Sequence, residues 1–317
     1  MNRYGSRKTP FLFIVDFNLQ NPIVLRLDEL ADDQILFDIQ GMTNVPHSYV
    51  ANKELEFKKF PVSFDVYHSA FQKVIHQIHS GNTYLLNLTF PTRLECNFSL
   101  ADIFHASVAK FKLLYRNQFV VFSPEIFVRI DGQTISSYPM KGTIDASITG
   151  AEERILADEK EKAEHTTIVD LIRNDLNIVA KRVSVESFRY IDRITTNDKE
   201  LLQVSSKITG RLEPEYRMRI GDILFQLLPA GSVTGAPKKK TVEIIRAVES
   251  YDRGYYTGVF GCFDGTRLES GVMIRFIENS NGNLFYKSGG GITAYSNAES
   301  EYMEMVNKVY VPLARIG

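Results

Sequence analysis

Residues 117–138 read Asn117-Gln-Phe-Val-Val-Phe-Ser-Pro-Glu-Ile-Phe-Val-Arg-Ile-Asp-Gly-Gln-Thr-Ile-Ser-Ser-Tyr138. β-branched and aromatic residues run in short blocks broken by Ser, Pro, Asp and Gly, so the stretch predicts three successive strands at 117–123, 126–131 and 133–138. Upstream, residues 11–16 and 23–27 read as strands on either side of Asn21-Pro22. Residues 65–80 read as a helix with Ala70, Phe71, Val74, Ile75 and Ile78 on one stripe and Gly81 at its C-terminal stop. A strand at 83–90 follows, and Ser99 caps a helix reaching about Lys110. Downstream, 151–180 reads as a long helical region, with further helices at 217–228, 237–250 and 298–313. Asp264-Gly265 reads as a hairpin turn, and Phe285–Ser288 as a strand. Runs of strands with interspersed helices indicate an α+β protein rather than a doubly wound parallel sheet.

At 317 residues the chain could form two domains or one large one, and it can bury a real core. No Pro/Gly/Ser-rich linker divides it, so a single interleaved domain over residues 1–317 is expected. Its 37 Lys and Arg against 38 Asp and Glu lack the basic excess of a nucleic-acid binder. The apolar run Phe11–Val15 stops at Asp16, and no stretch approaches a membrane span. Residues 1–10 are charged without a following apolar h-region, which argues against a signal peptide. Cys96 and Cys262 lie in unrelated contexts, as expected of reduced thiols in a cytoplasmic protein.

Certain residues suggest chemistry. Glu161 and Glu164 lie one turn apart on one helix, as do Glu301 and Glu304 on another, and Lys308 shares the second face. Facing each other, the two pairs would form an oxygen cage for a hard cation such as Mg²⁺; on spacing alone each reads as a solvated face. Ser288-Gly289-Gly290-Gly291 leaves a strand and precedes a helix, so its backbone could approach a ligand and offer N–H groups to an anion, or simply turn. The loop Gly231–Lys238 resembles a phosphate loop but fails its spacing, because Ala236-Pro237 precedes Lys238. Lys141, in Tyr138-Pro-Met-Lys-Gly-Thr143, would become a nucleophile if burial beside other positive groups lowered its pKa. Glu125 follows the apolar Phe119–Phe122, where a carboxyl with apolar neighbours can be kept as a general acid. His76 and His79 read as a solvated helix face, and His165 as a structural histidine.

Taken in order, these segments resemble the chorismate-utilising enzymes, the family of anthranilate, aminodeoxychorismate, isochorismate and salicylate synthases. The resemblance rests on Ser123-Pro-Glu125, Pro139-Met-Lys-Gly-Thr143, Asp158-Glu-Lys-Glu161-Lys-Ala-Glu164-His165 and Val169-Asp-Leu-Ile-Arg-Asn-Asp175. It continues through Gly231-Ser-Val-Thr-Gly-Ala-Pro-Lys238, Arg253-Gly-Tyr-Tyr256, Gly271-Val-Met-Ile-Arg275, Ser288-Gly-Gly-Gly291 and Ser300-Glu-Tyr-Met-Glu304 with Asn307-Lys308.

The resemblance implies an antiparallel-sheet sandwich with helices outside. It also implies Mg²⁺ on Glu164 and Glu304, with Glu161 and Glu301 beside it or acting through water. Arg275, Tyr256 and the backbone around Gly289, Gly290 and Gly291 would hold the enolpyruvyl carboxylate of chorismate, with Thr143 and Lys308 also on the substrate. Glu125 would protonate the departing C4 hydroxyl. Anthranilate synthases carry alanine where Lys141 stands, so Lys141 points to the aminodeoxychorismate branch, with an anthranilate synthase or a non-catalytic chorismate-binding subunit as alternatives. Ammonia would come from a glutamine amidotransferase partner. Two positions depart from the family: Leu85 replaces the glutamine of ammonia users or the lysine of water users, and Gln203 replaces a histidine. The chain also begins late relative to longer relatives, so no tryptophan feedback site is expected.

Overall fold

The computed structural model describes residues 1–30, 35–45, 55–195 and 200–313. Its strands form two nine-stranded sheets in which every pairing is antiparallel. The first sheet runs, in spatial order, Met140–Asp145, Glu200–Arg211, Thr134–Ser137, Ile126–Asp131, Leu268–Val272, Val259–Phe263, Phe11–Val15 and Ile23–Arg26. Lys181–Thr195 covers the other side of Glu200–Arg211. The second sheet runs Gly235–Ala236, Leu85–Cys96, Asn283–Ile292, Phe276–Ser280, Phe119–Ser123, Phe111–Tyr115, Ile35–Ile39 and Met42–Thr43, with Phe57–Phe60 also on Leu85–Cys96.

Strand alternation decides what lies between these layers. In Phe11–Val15, Leu12 and Ile14 pack with Phe37, Phe111, Val121 and Phe276 of the other sheet. Phe11, Phe13 and Val15 point the opposite way, onto Val169 and Leu176 of the helix Glu159–Val179 and Ile220 and Leu224 of the helix Ile220–Leu227. Both faces are therefore covered, which explains an apolar run with no polar alternation. The second sheet turns Leu86, Leu88 and Phe90 outward onto the helices Phe64–His79, Lys238–Val248 and Ala298–Asn307. The result is the α+β sandwich with helices outside that the sequence indicates. Among the described residues no helix is long and apolar enough to cross a membrane.

The three strands of 117–138 fall in two different sheets. Phe119–Ser123 belongs to the second, and the hairpin of Ile126–Asp131 with Thr134–Ser137 to the first. The chain changes sheets at Pro124-Glu125 and changes back between Val272 and Phe276. These two crossovers lie side by side: Val272 N–H donates to the Glu125 carbonyl, and Phe122 N–H to the Arg275 carbonyl, each at 3.1 Å. Glu125 and Arg275 thus stand at one seam between the sheets.

Other elements differ in extent from the sequence reading. The region 151–180 is two helices, Ala151–Ala157 and Glu159–Val179, because Asp158 accepts from Glu161 N–H and caps the second. The helix after Ser99 ends at Ala106, and the C-terminal helix at Asn307, with Lys308 as its cap. Lys181–Thr195 and Glu200–Arg211 form a long, bulged strand pair to which the sequence reading assigns nothing; three register shifts interrupt its alternation. The glycine triplet does not leave its strand, which continues through Ile292 paired to Leu86.

Candidate active site

A cavity of about 990 Å³ opens at the seam, and Glu125, Lys141, Glu164, Tyr256, Arg275, Gly289, Gly291, Glu304 and Lys308 all line it. Lys141 reaches it because its strand is bulged: register on Glu200–Arg211 shifts between Met140 and Thr143, and Gly142 takes φ +79° there. Lys141 Nζ lies 2.7 Å from Glu164 Oε2. Burial pushes this ammonium down, but its hydrogen bond to Glu164 and the charges of Glu164, Glu161 and Glu304 outweigh burial and hold its pKa above the ordinary value. The neighbours of Lys141 are therefore carboxylates rather than the positive groups that would activate it, and its amine stays protonated while they are charged.

Glu125 is the opposite case. Burial raises its carboxyl above the usual range, against the hydrogen bond from Ser232 Oγ and the charges of Lys308 and Arg275. A carboxyl whose pKa is raised is better matched to donating a proton to a leaving oxygen. Ser232, 107 residues away in sequence, is missed as a site residue because nothing local links the two positions.

Arg275 adopts φ +53°, a strained backbone for a non-glycine residue. Its Nη1 donates to the Lys308 carbonyl at 3.0 Å, and its guanidinium lies 4.8 Å from the Tyr310 ring centroid. Tyr256 is 3% exposed, and burial raises its phenol well above the ordinary range, so it is a neutral donor. Pairing with Phe276–Ser280 ends at Lys287, so from Ser288 onward the strand is laddered only to Leu85–Cys96. Every second N–H of the glycine stretch thus faces away from the ladder. A side chain at Gly289 would meet the Leu88 carbonyl at 2.2 Å.

Lys308 Nζ pairs with Glu304 at 2.6 Å and donates to the Gly289 carbonyl at 2.9 Å. A Cβ at Gly290 would lie 3.3 Å from Glu301 Oε2 and 3.6 Å from Glu304 Oε1, so both carboxylates converge above that glycine. Glu301 is buried and accepts from Ser296 Oγ. Glu161 Oε2 stands 3.1 Å from where a Gly142 Cβ would be. Gly290, Glu161 and Glu301 support the cavity without lining it. Thr143 is exposed outside it, opposite Gln203, because the bulge breaks the alternation that would have put it on the face of Lys141.

The charge of Lys141 is felt by Glu164 and Glu161 of one helix and Glu304 of the other, so the two acidic faces do approach each other. Among the described residues no three His, Cys, Asp or Glu side chains stand close enough to hold a metal as they are. Lys141 pairs with Glu164 and Lys308 with Glu304, so ammonium groups meet two carboxylates of this all-oxygen set. The donor chemistry fits a hard divalent cation.

Lys238 does not line the cavity: it is tied to Asp175 at 2.9 Å and to the Leu227 carbonyl. His165 is buried, bonded to Ser206 at 2.6 Å, with its pKa pushed down to about 4 by burial and by the charges of Arg189 and Lys141. His76 and His79 are exposed on their helix.

A Haemophilus influenzae protein described as an uncharacterized PabA-like protein is 49% identical over 98% of this chain and 95% of its own length. Aminodeoxychorismate synthase component 1 of Bacillus subtilis is 30% identical over 79% of this chain and 55% of its own. The crystal structure of anthranilate synthase component I from Streptococcus pneumoniae superposes with a TM-score of 0.66 at 25% identity, covering 81% of this chain and 59% of that one. The model of the family described as chorismate binding enzyme matches residues 23–314, and the chain belongs to that family.

Proposed function

We propose that the chain is the large subunit of an aminodeoxychorismate synthase, converting chorismate and ammonia to 4-amino-4-deoxychorismate for p-aminobenzoate and folate synthesis. The observation that carries the reading is Lys141, set by a bulge into the wall of the cavity that also holds Glu125. Arg275, Tyr256 and the open N–H groups of the glycine strand bind the enolpyruvyl carboxylate, and charge-assisted bonds in an enclosed site favour such an anion. Glu164 and Glu304 would hold Mg²⁺, with Glu161 and Glu301 behind them. When bound, the cation neutralises these carboxylates and holds the ring carboxylate of chorismate.

Lys141 first releases a proton to solvent as its carboxylate partners are neutralised; its free amine then attacks C2 of the ring while Glu125 protonates the C4 hydroxyl, which leaves as water. Ammonia then bonds to C4 and the C2–N bond to Lys141 breaks, returning the free amine. Two easier displacements replace one difficult one. Ammonia comes from a glutamine amidotransferase partner. Neither cysteine suits glutamine hydrolysis: burial pushes the Cys262 thiol up to about 12, and Cys96 lies outside the cavity.

Purified protein given chorismate, ammonium and Mg²⁺, with products resolved by mass spectrometry, tests this reading. Aminodeoxychorismate is expected, lost when the metal is chelated with EDTA. Anthranilate as the product would place the chain in the other branch, and activity indifferent to EDTA would remove the cation from the four glutamates.

A further inference from the structure

One wall of the cavity is built by the start of the strand Leu85–Cys96. Leu86 and Leu88 point outward into the helix-facing core, so Leu85 and Asn87 share the opposite face, and both line the cavity. Leu85 offers no polar atom, and its Cδ1 lies 3.2 Å from where a Gly291 Cβ would stand. Asn87 is opposite Gly291 in register, so no facing side chain covers it. Its backbone is held at both groups: the N–H donates to the Thr234 carbonyl at 3.0 Å, and the carbonyl accepts from Arg253 Nη2 at 2.6 Å.

The side chain is different. Asn87 is the one carboxamide among the described lining residues, and its side-chain amide has no hydrogen-bond partner among the described residues. Four serine and threonine hydroxyls of the lining are committed: Ser232 to Glu125, Ser288 to the Met305 carbonyl, Thr83 to the Ala236 carbonyl and Thr167 to the Ala163 carbonyl. Ammonia must be held as the neutral amine, with its lone pair aimed at C4. A carboxylate would favour the protonated, non-nucleophilic form, whereas a carboxamide oxygen accepts one N–H without taking or giving a proton. Asn87 also adjoins the loop carrying Ser232, and hence the end of the cavity where Glu125 releases the C4 hydroxyl.

We infer that Asn87 is the residue that positions and selects the ammonia nucleophile, its side-chain oxygen accepting an N–H in a wall that Leu85 otherwise makes apolar. This rests on the aminodeoxychorismate reading above. No bond to Asn87 forms or breaks.

The test is steady-state kinetics of Asn87→Val with ammonium chloride as the varied substrate and chorismate saturating, beside calorimetric titration of chorismate. The KM for ammonium should rise about tenfold, the loss of one good hydrogen bond, while chorismate binding stays unchanged. Placing an amide one cavity position away, as Leu85→Gln in the Asn87→Val background, should recover most of that loss; a merely structural role predicts no such rescue. If Asn87→Val does not fold, Asn87→Ala carries the same expectation. Amination with an unchanged KM for ammonium would overturn the role of Asn87 alone. A wild-type protein that forms no aminodeoxychorismate from ammonium would overturn both it and the reading beneath it.

Discussion

Ser232 shows how much a single hydroxyl can decide. Its hydrogen bond favours the ionised form of Glu125, while burial favours the neutral acid, and burial prevails. As a general acid Glu125 works only while protonated, so the rate should fall as pH rises through its raised pKa. Ser232→Ala removes an interaction that lowers that pKa. The falling limb of the pH–rate profile should therefore move to higher pH, with kcat reduced by misorientation of the acid. A limb that stays in place would separate Ser232 from the acid's ionisation. At this scale the sequence was partly legible: Glu125, Lys141, Arg275 and Tyr256 line the cavity, but the partners of the first three, Ser232, Glu164 and Lys308, are distant in the chain. The lysine illustrates the limit. Its place in Pro139-Met-Lys-Gly-Thr143 is visible, yet the sign of its pKa shift depends on carboxylates carried by two remote helices.

Elements come together around a buried ion pair. Arg253 and Glu249 are each 1% exposed in their side chains, and Arg253 also donates to the carbonyls of Val233 and Asn87. Glu249 in turn accepts from the N–H and hydroxyl of Thr89. One guanidinium thus clamps the Gly231–Val233 turn, which carries Ser232, to the strand carrying Leu85 and Asn87. Arg253→Met would leave the Glu249 charge buried without a counter-ion, a loss of about 3–5 kcal/mol expected in urea unfolding. Adding Glu249→Leu to that variant should return most of the stability, since matched apolar replacement of a buried pair is often near neutral. A single variant as stable as wild type would show that the pair is dispensable. Element boundaries were less legible than element types. Asp158 sits in a charged run that resembles plain surface but ends one helix and caps the next. The strands across 181–211 were hidden by bulges that break the period-2 pattern.

At the scale of the whole molecule, the site exists because the chain changes sheets twice at one place. The crossovers at Glu125 and Arg275 bond to each other, so the acid and the guanidinium are set by the hydrogen-bonded joint between the two sheets. Antiparallel α+β character was readable from strand-rich runs, but assignment of strands to sheets was not, because consecutive strands here part company at Pro124. The layers supply what one sheet could not: carboxylates from helices packed on opposite outer faces reach the same lysine.

The central claim is that Lys141 is the nucleophile, and intact-protein mass spectrometry tests it most directly. With chorismate and Mg²⁺ but no ammonia, the protein should gain the mass of one chorismate less one water, mapped to Lys141, and ammonium should discharge it to aminodeoxychorismate. Undiminished aminodeoxychorismate formation by Lys141→Ala, with no adduct on the wild type, would contradict the account.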